Sequence, residues 1–395
     1  MEPIQLVEYQ DWTGTLMEDD ARYIRRELAT YVQYRVELGD DRLLTILNPH
    51  QFVGVAVLPS GRRLESRPKV PLANLFYMLA LVHQIPFRED EAAFDRLDEL
   101  LELIARHFAG LVEERLAQGL YRAYVEQEEN LIGVRGRIDF TADLRQNYLL
   151  RHRTSCRYGD LTWDVPENQV LRQVARLLSG WDFTVPTRLR LARLDAQLAE
   201  VQTGRLTAAD IDRFVYHRLN EGYQPLHALC RLFLEGASLS EAEGTLPLRS
   251  FFVDMNKLFE SFVTRVLAQH APLPYRVMSQ SQLHLDTGRT VTMRPDILIY
   301  ERDRVVFAAD CKYKRLESGG FRHPDLYQIL AYCTATGIGR GALIYPVHMV
   351  AFSREFQIER TAIYIHEITL DLGGDLPGLK AHRTRFASAF FGRIR

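Results

Sequence analysis

No stretch of this 395-residue chain is apolar over the roughly 20 residues a helix needs to cross a bilayer, so no membrane span is expected. The opening residues, MEPIQLVEYQDW, lack the basic stretch followed by an apolar run that marks a secretory signal. Cysteine is scarce and scattered: Cys156, Cys230, Cys311 and Cys333 form no CxxC and show no metal-ligand spacing. The histidines show no HExxH spacing, and no GxxxxGK[ST] is present, so no nucleotide site is expected in this chain. A reducing cytoplasm is the simplest home for such a protein. Net charge is nearly absent as well, at −2 from 49 basic and 51 acidic residues, so any contact with a polyanion must come from a local basic surface.

What is present is the composition of a globular protein, 47% hydrophobic and 25% charged, long enough for roughly two or three domains. Only five of the 49 basic residues are lysine, and two of the five are Lys312 and Lys314. A coding bias toward arginine explains the scarcity, but the pairing marks the spot. Along the chain, the spacing predicts a helix over 20–36, two β-rich runs at 43–49 and 52–58 joined at Asn48–Pro49, and a helix opened by Pro71. A mainly helical region follows from about 91 to 236, interrupted by β-like alternation in NLIGVRGRIDF (130–140) and containing a well-punctuated helix over 166–181. After a composition break at GTLPLRS (244–250), the order is helix (252–270), strands (276–285, 290–300, 304–312), helix (322–336) and strand (341–346). That order describes an α/β fold, a mixed sheet flanked by helices.

The segment TMRPDILIYERDRVVFAADCKYK (292–314) carries the candidate chemistry. Two apolar runs separated by a charged turn read as a hairpin, with Asp296 opening the first strand and Asp310 and Lys312 closing the second on one face. Charged groups beside a core are costly unless they are used. Phosphodiester hydrolysis would use them: Asp296, Asp310 and the Cys311 backbone carbonyl are candidate Mg2+ ligands, with Mn2+ as a substitute, and Lys312 would orient the attacking water. The bare pattern is loose and also fits an exposed Asp paired with a Lys across a hairpin. Neighbours tip the balance. Pro295 favours extended backbone before Asp296, Glu260 could add a carboxylate from the preceding helix, and Gln328 and Tyr332 stand four apart on the following one. For Glu260 and Gln328, a solvated polar helix position is the alternative account.

At Pro295-Asp296 and Asp310-x-Lys312 the sequence resembles the PD-(D/E)xK nuclease superfamily. More narrowly it resembles the McrC family, the nuclease subunit of modification-dependent restriction systems. The matching segments are YRAYVEQEENLIGVRGRIDF (121–140), VPENQVLR (165–172), MNKLFESFV (255–263), MRPDILI (293–299), DCKYK (310–314) and DLYQILAY (325–332). The resemblance implies a DNA endonuclease working with an McrB-like AAA+ GTPase motor ring, which carries the DNA-recognition domain. It further implies a partner-docking domain at 1–115, a middle DNA-contact region at 116–248 and a PD-(D/E)xK endonuclease domain at 249–395.

Arg135, Arg137, Arg145, Arg151, Arg153 and Arg157, with His152, form the densest basic stretch. It reads equally as a phosphate-contacting surface on DNA or as arginines paired with Glu126, Glu128 and Glu129. Two further readings of the whole chain stay open: an adaptor that activates an AAA+ motor with weak nuclease activity, and a PD-(D/E)xK nuclease of another defence or repair system.

Overall fold

The computed structural model describes residues 2–38, 43–85, 96–149, 152–237, 250–314, 323–347 and 353–394. The fold is mixed α/β, as expected, and it divides into two compact units, one of residues 1–100 with 250–395 and the other of residues 101–249. Among the described residues, no helix is long and apolar enough to cross a membrane.

The first unit joins the two ends of the chain. Its N-terminal sheet runs in the order Ile4–Val7, Arg63–Arg67, Phe52–Val57, Ser250–Asp254. The last strand comes from the far end of the sequence and pairs antiparallel with Phe52–Val57, with Phe252 opposite Gly54. The segments expected as separate domains, 1–115 and 249–395, are therefore bound into one unit for most of their length. A glycine is required at this crossing, because a Cβ on residue 54 would lie 2.0 Å from the Phe251 carbonyl oxygen and 2.7 Å from the Phe252 Cα. Gly54→Val should accordingly cost about 2 kcal/mol or more in chemical denaturation, and an unchanged midpoint would contradict this pairing.

One local expectation at the N-terminus is corrected. The helix expected over 20–36 spans only Glu18–Glu27, and Gln33–Leu38 is a strand. Its β-branched and aromatic residues, Tyr34 and Val36, prefer the pleated surface. The runs 43–49 and 52–58 do form strands, but in different sheets: Leu43–Asn48 sits between Trp12–Gly14 and Gln33–Leu38.

The second sheet of this unit holds the candidate site. Its order is Tyr275–Ser279, Ile297–Glu301, Arg304–Cys311, Arg340–Val347, Tyr364–Asp371, Ser353–Gln357, with parallel pairs at its centre and antiparallel pairs at both edges. The helix His323–Thr336 packs on one face, where Leu298, Ala308, Leu343, Tyr345 and Ile365 meet Ile329, Tyr332 and Cys333. Alternate residues face the other way: the Phe307 ring lies 5.2 Å from that of Phe390 on the C-terminal helix Leu376–Gly392. That terminal helix buries Phe386, Phe390 and Phe391, as a docked helix should. The preceding helix begins at Met255, later than expected, because Ser250–Asp254 is drawn into the N-terminal sheet and Asp254 caps the helix through the amides of Asn256 and Lys257.

The second unit is built on the helices Leu97–Gln118, Pro166–Ser179, Val185–Gln197 and Gln224–Gly236. The first ends just before Gly119, whose φ of +92° takes a conformation only glycine adopts freely. Residues 121–125, expected within the mainly helical region, lead into a strand, Ala123–Leu131, paired with Thr154–Thr162, which in turn pairs with Arg137–Ile138. Burial alternates with period two over 123–128, the pairing of a half-covered strand overriding the helical spacing before it. This small sheet with its short helix Phe140–Gln146 leaves Tyr124, Ile132, Val134, Phe140, Leu144, Tyr148 and Leu149 exposed, the last at 86%.

Candidate functional site

The hairpin expected at 297–311 places the site. Ile297 pairs with Ala309, and Asp296 and Asp310 are the next residues on either strand. Asp296 shares the side of its strand with Leu298, and Asp310 and Lys312 share that of Ala308, so all three face the helix His323–Thr336. The backbone of Lys312 is held by its own amide, which donates to the Ile344 carbonyl at 2.8 Å.

The side chains converge. The Lys312 ammonium is 2.5 Å from Asp310 Oδ2 and donates to Gln328 Oε1 at 2.9 Å. The Gln328 amide donates to the Tyr332 hydroxyl at 2.7 Å, and that hydroxyl reaches the Arg294 carbonyl at 3.4 Å. Gln328 and Tyr332 thus form a brace for Lys312 from one face of the helix, one turn apart. Asp296 Oδ2 accepts the Cys311 amide at 2.7 Å. Cys311, expected to offer its carbonyl, contributes its N–H here, and its thiol is pushed up by burial and the surrounding carboxylates. Glu260 arrives from Met255–His270 and accepts from the Gln280 side chain.

Electrostatics show what this gathering lacks. Burial, then the charges of Asp310 and Glu260, push the Asp296 carboxyl up to about 8. Burial also raises Asp310 against the pull of Lys312, and burial raises Glu260 against the Gln280 hydrogen bond. Burial opposes the charge on Lys312, yet Asp310 keeps its ammonium above the ordinary lysine value. Three carboxylates that sense one another share this one ammonium, an environment short of positive charge. In kind, the donors fit a hard divalent cation, since all are oxygens. In spacing they are drawn onto other partners, Asp310 onto Lys312, Asp296 onto the Cys311 amide and Glu260 onto Gln280. Among the described residues no group of three or more His, Cys, Asp or Glu side chains is gathered closely enough to hold a metal ion.

Two features lay outside the sequence expectation. Gln280, which holds Glu260, sits at φ +51° in a loop, and its amide donates to the Asp296 carbonyl at 3.2 Å; no local pattern marks it. Lys314 pairs with Asp325, whose Oδ2 also accepts from the Tyr345 hydroxyl at 3.4 Å, and the pair adds to the field on Asp310. Here a signal did exist: Asp325 stands three residues before Gln328, on the same side of its helix.

The arginine stretch divides. Arg135 pairs with Asp160 at 2.6 Å and stacks 3.9 Å above the Tyr158 ring. Arg157 is held by Glu128 at 2.9 Å and Asp139 at 2.8 Å, and Arg153 donates to the Asn130 carbonyl at 3.0 Å. Arg137 and Arg145 are exposed, and among the described residues neither guanidinium has a partner. Arg151 lies outside the described residues.

Comparison with known proteins supplies a frame for this site. The family described as McrBC 5-methylcytosine restriction system component matches residues 47–346. The chain is 22% identical over 337 residues to the type IV methyl-directed restriction enzyme EcoKMcrBC of Escherichia coli strain K12, covering 79% of this chain and 95% of that protein. Its fold is similar to a chain in the refined half-complex from a tetradecameric assembly of Thermococcus gammatolerans McrB AAA+ hexamers with bound McrC. The TM-score is 0.59 at 18% identity, over 98% of this chain and 100% of that one.

Proposed function

The chain belongs to the family of McrBC 5-methylcytosine restriction system components, and from that membership we propose that it is the Mg2+-dependent DNA endonuclease subunit of a modification-dependent restriction complex. One observation carries this reading: buried Asp310 and half-buried Asp296 and Glu260 gather beside Lys312 at the end of a sheet strand, where burial and then the charge of Asp310 raise the other two carboxyls. Asp296, Asp310, the Cys311 carbonyl and Glu260 would hold the ion, with Mn2+ able to replace Mg2+. A bound divalent ion supplies Lewis acidity and lowers the pKa of water. The protein's own part is positional. Lys312, braced by Gln328 and Tyr332, keeps an ammonium where a scissile phosphate and its attacking water would meet. Burial and the charges of Asp310 and Glu260 favour the protonated form of Asp296, and a bound divalent ion would favour the ionised one.

The motor in this reading is a separate AAA+ GTPase ring, a reading supported by the similar Thermococcus gammatolerans structure, in which McrB AAA+ hexamers are bound to McrC. The chain itself has no GxxxxGK[ST]. Residues 1–115 remain the proposed docking segment. The exposed apolar residues on and around the small sheet of the second unit favour a second contact, and they also favour the adaptor reading, in which the chain activates a ring. Both readings are separated by one assay: cleavage of methylated and unmethylated DNA, with Mg2+ and GTP or ATP, with and without the partner. The nuclease reading expects cleavage of modified DNA that needs both proteins. Stimulated GTP turnover without cleavage would leave the adaptor alone.

Arg137 and Arg145 are the arginines best placed for phosphate, because Arg135 and Arg157 are already paired. Replacing both by alanine should weaken DNA binding and flatten its salt dependence by about two units of slope. Arg135→Ala should instead loosen the small sheet. An unchanged salt slope in the double variant would remove these two residues from the interface.

A further inference from the structure

The residue after the catalytic lysine is held from the opposite end of the chain. Tyr313 is buried, and its hydroxyl donates to Glu8 at 3.2 Å. The hydroxyl of Tyr9 lies 3.1 Å from the Tyr313 carbonyl oxygen and 3.3 Å from Asn256 Oδ1. The Tyr313 ring packs 5.7 Å from that of Phe259. Asn256 and Phe259 both lie on the helix that carries Glu260, in its first turns. Two consecutive residues of the N-terminal segment therefore grip both the strand end bearing Lys312 and the helix bearing Glu260.

This grip is built at a cost that packing alone does not require. Glu8 is wholly buried, directly after the strand Ile4–Val7, with its amide on the Arg67 carbonyl at 3.3 Å. One carboxylate oxygen takes the Lys69 amide at 2.8 Å together with Tyr313, and the other has no hydrogen-bond partner among the described residues. Even with the charge of Lys69 acting on it, a wholly buried carboxylate with one oxygen lacking a hydrogen bond is costly, and an apolar residue would fill the space more cheaply. Tyr9 adopts φ +57°, a conformation uncommon for a tyrosine, with its amide on the His50 carbonyl at 2.9 Å and the Lys69 ammonium 4.9 Å from its ring centre. Each of these residues is set by the N-terminal sheet and aimed at the site.

We propose that Glu8 and Tyr9 are positioning residues of the nuclease centre, fixing Tyr313 by its hydroxyl and carbonyl so that Lys312 and Glu260 keep their places. The proposal rests on the nuclease reading and adds to it a physical link from the N-terminal sheet to the cleavage site. Lys312 is then pinned on both sides, by its own amide on Ile344 and by the clamped residue that follows it.

The test measures DNA cleavage by the full chain with its motor partner, for wild type, Lys312→Ala, Tyr9→Phe, Tyr313→Phe, Glu8→Gln and the Glu8→Gln/Tyr313→Phe double variant. Tyr9→Phe and Tyr313→Phe each remove one hydroxyl and should lower kcat about tenfold with KM for DNA unchanged, because a small displacement of the reacting groups costs rate rather than binding. Glu8→Gln keeps an acceptor oxygen for the Tyr313 hydroxyl and should cost less than Tyr313→Phe, and the Glu8→Gln/Tyr313→Phe double variant should be no slower than Tyr313→Phe alone. Melting temperature, read alongside, separates a loss of folded protein from a loss of rate per folded molecule. Wild-type kcat in Tyr9→Phe and Tyr313→Phe, beside an inactive Lys312→Ala, overturns this proposal alone. Wild-type cleavage by Lys312→Ala overturns the nuclease reading and this proposal with it.

Discussion

Lys312→Ala is expected to lower DNA cleavage by about 10³-fold while the purified chain stays folded and still joins its partner. The ammonium 2.5 Å from Asp310 is the cation set directly among the three carboxylates, and alanine leaves none in its place. Loss of fold is not expected, because the Lys312 side chain is partly exposed and its backbone bond to Ile344 survives the change. Asp310 can also relieve its lost partner by taking up a proton, toward which burial already pushes it. Lys312→Arg should not restore the rate. A planar guanidinium cannot occupy the point position between Asp310 and Gln328 without displacing one of them. Single-turnover cleavage together with a melting curve decides the matter: a folded, complex-forming variant that cuts within tenfold of wild type would remove Lys312 from the chemistry.

The second large effect is on stability, and its sign follows from Asp296. Its carboxyl is held near 8 in the folded chain and near the ordinary carboxylate value of about 4 in the unfolded one. Between those values the folded state binds more protons than the unfolded, so metal-free stability falls as pH rises through this window. Asp296→Asn abolishes that loss. The amide is neutral at every pH, and its oxygen can still accept the Cys311 amide. Without divalent cations the variant should therefore melt higher than wild type at pH 8, by several degrees. Mg2+ or Mn2+ must bind the ionised carboxylates and release their protons, so it should raise the wild-type melting temperature more at pH 8 than at pH 6. At a hundredfold excess over Kd the gain is about 2.7 kcal/mol. Asp296→Asn should lose most of this response. A wild-type melting temperature indifferent to Mn2+ at pH 8 would contradict the site.

The parts of the site that could be read from sequence are those set by local periodicity. Two-residue alternation in a strand put Asp310 and Lys312 on one face, and four-residue spacing on a helix put Gln328 beside Tyr332; the structure brings these together. What escaped depends on contacts across hundreds of residues. Glu8 and Tyr9 meet Tyr313 only because Ser250–Asp254 crosses into the N-terminal sheet, and that strand ran without a break into a helical pattern, so its apolar residues read as the helix start. The arginine stretch was legible only in part. The expected pairing with the glutamates holds for Arg157 and Glu128, but Asp139 and Asp160, further partners of Arg157 and Arg135, were no part of the sequence account.

Anomalous diffraction from crystals of the chain grown with Mn2+ near pH 8 tests the central claim most directly. The expected result is a peak between the carboxylates of Asp296 and Asp310, with the Lys312 ammonium withdrawn from Asp310 toward solvent or phosphate. A map with no peak there, and Lys312 still closed on Asp310 at saturating Mn2+, would contradict it.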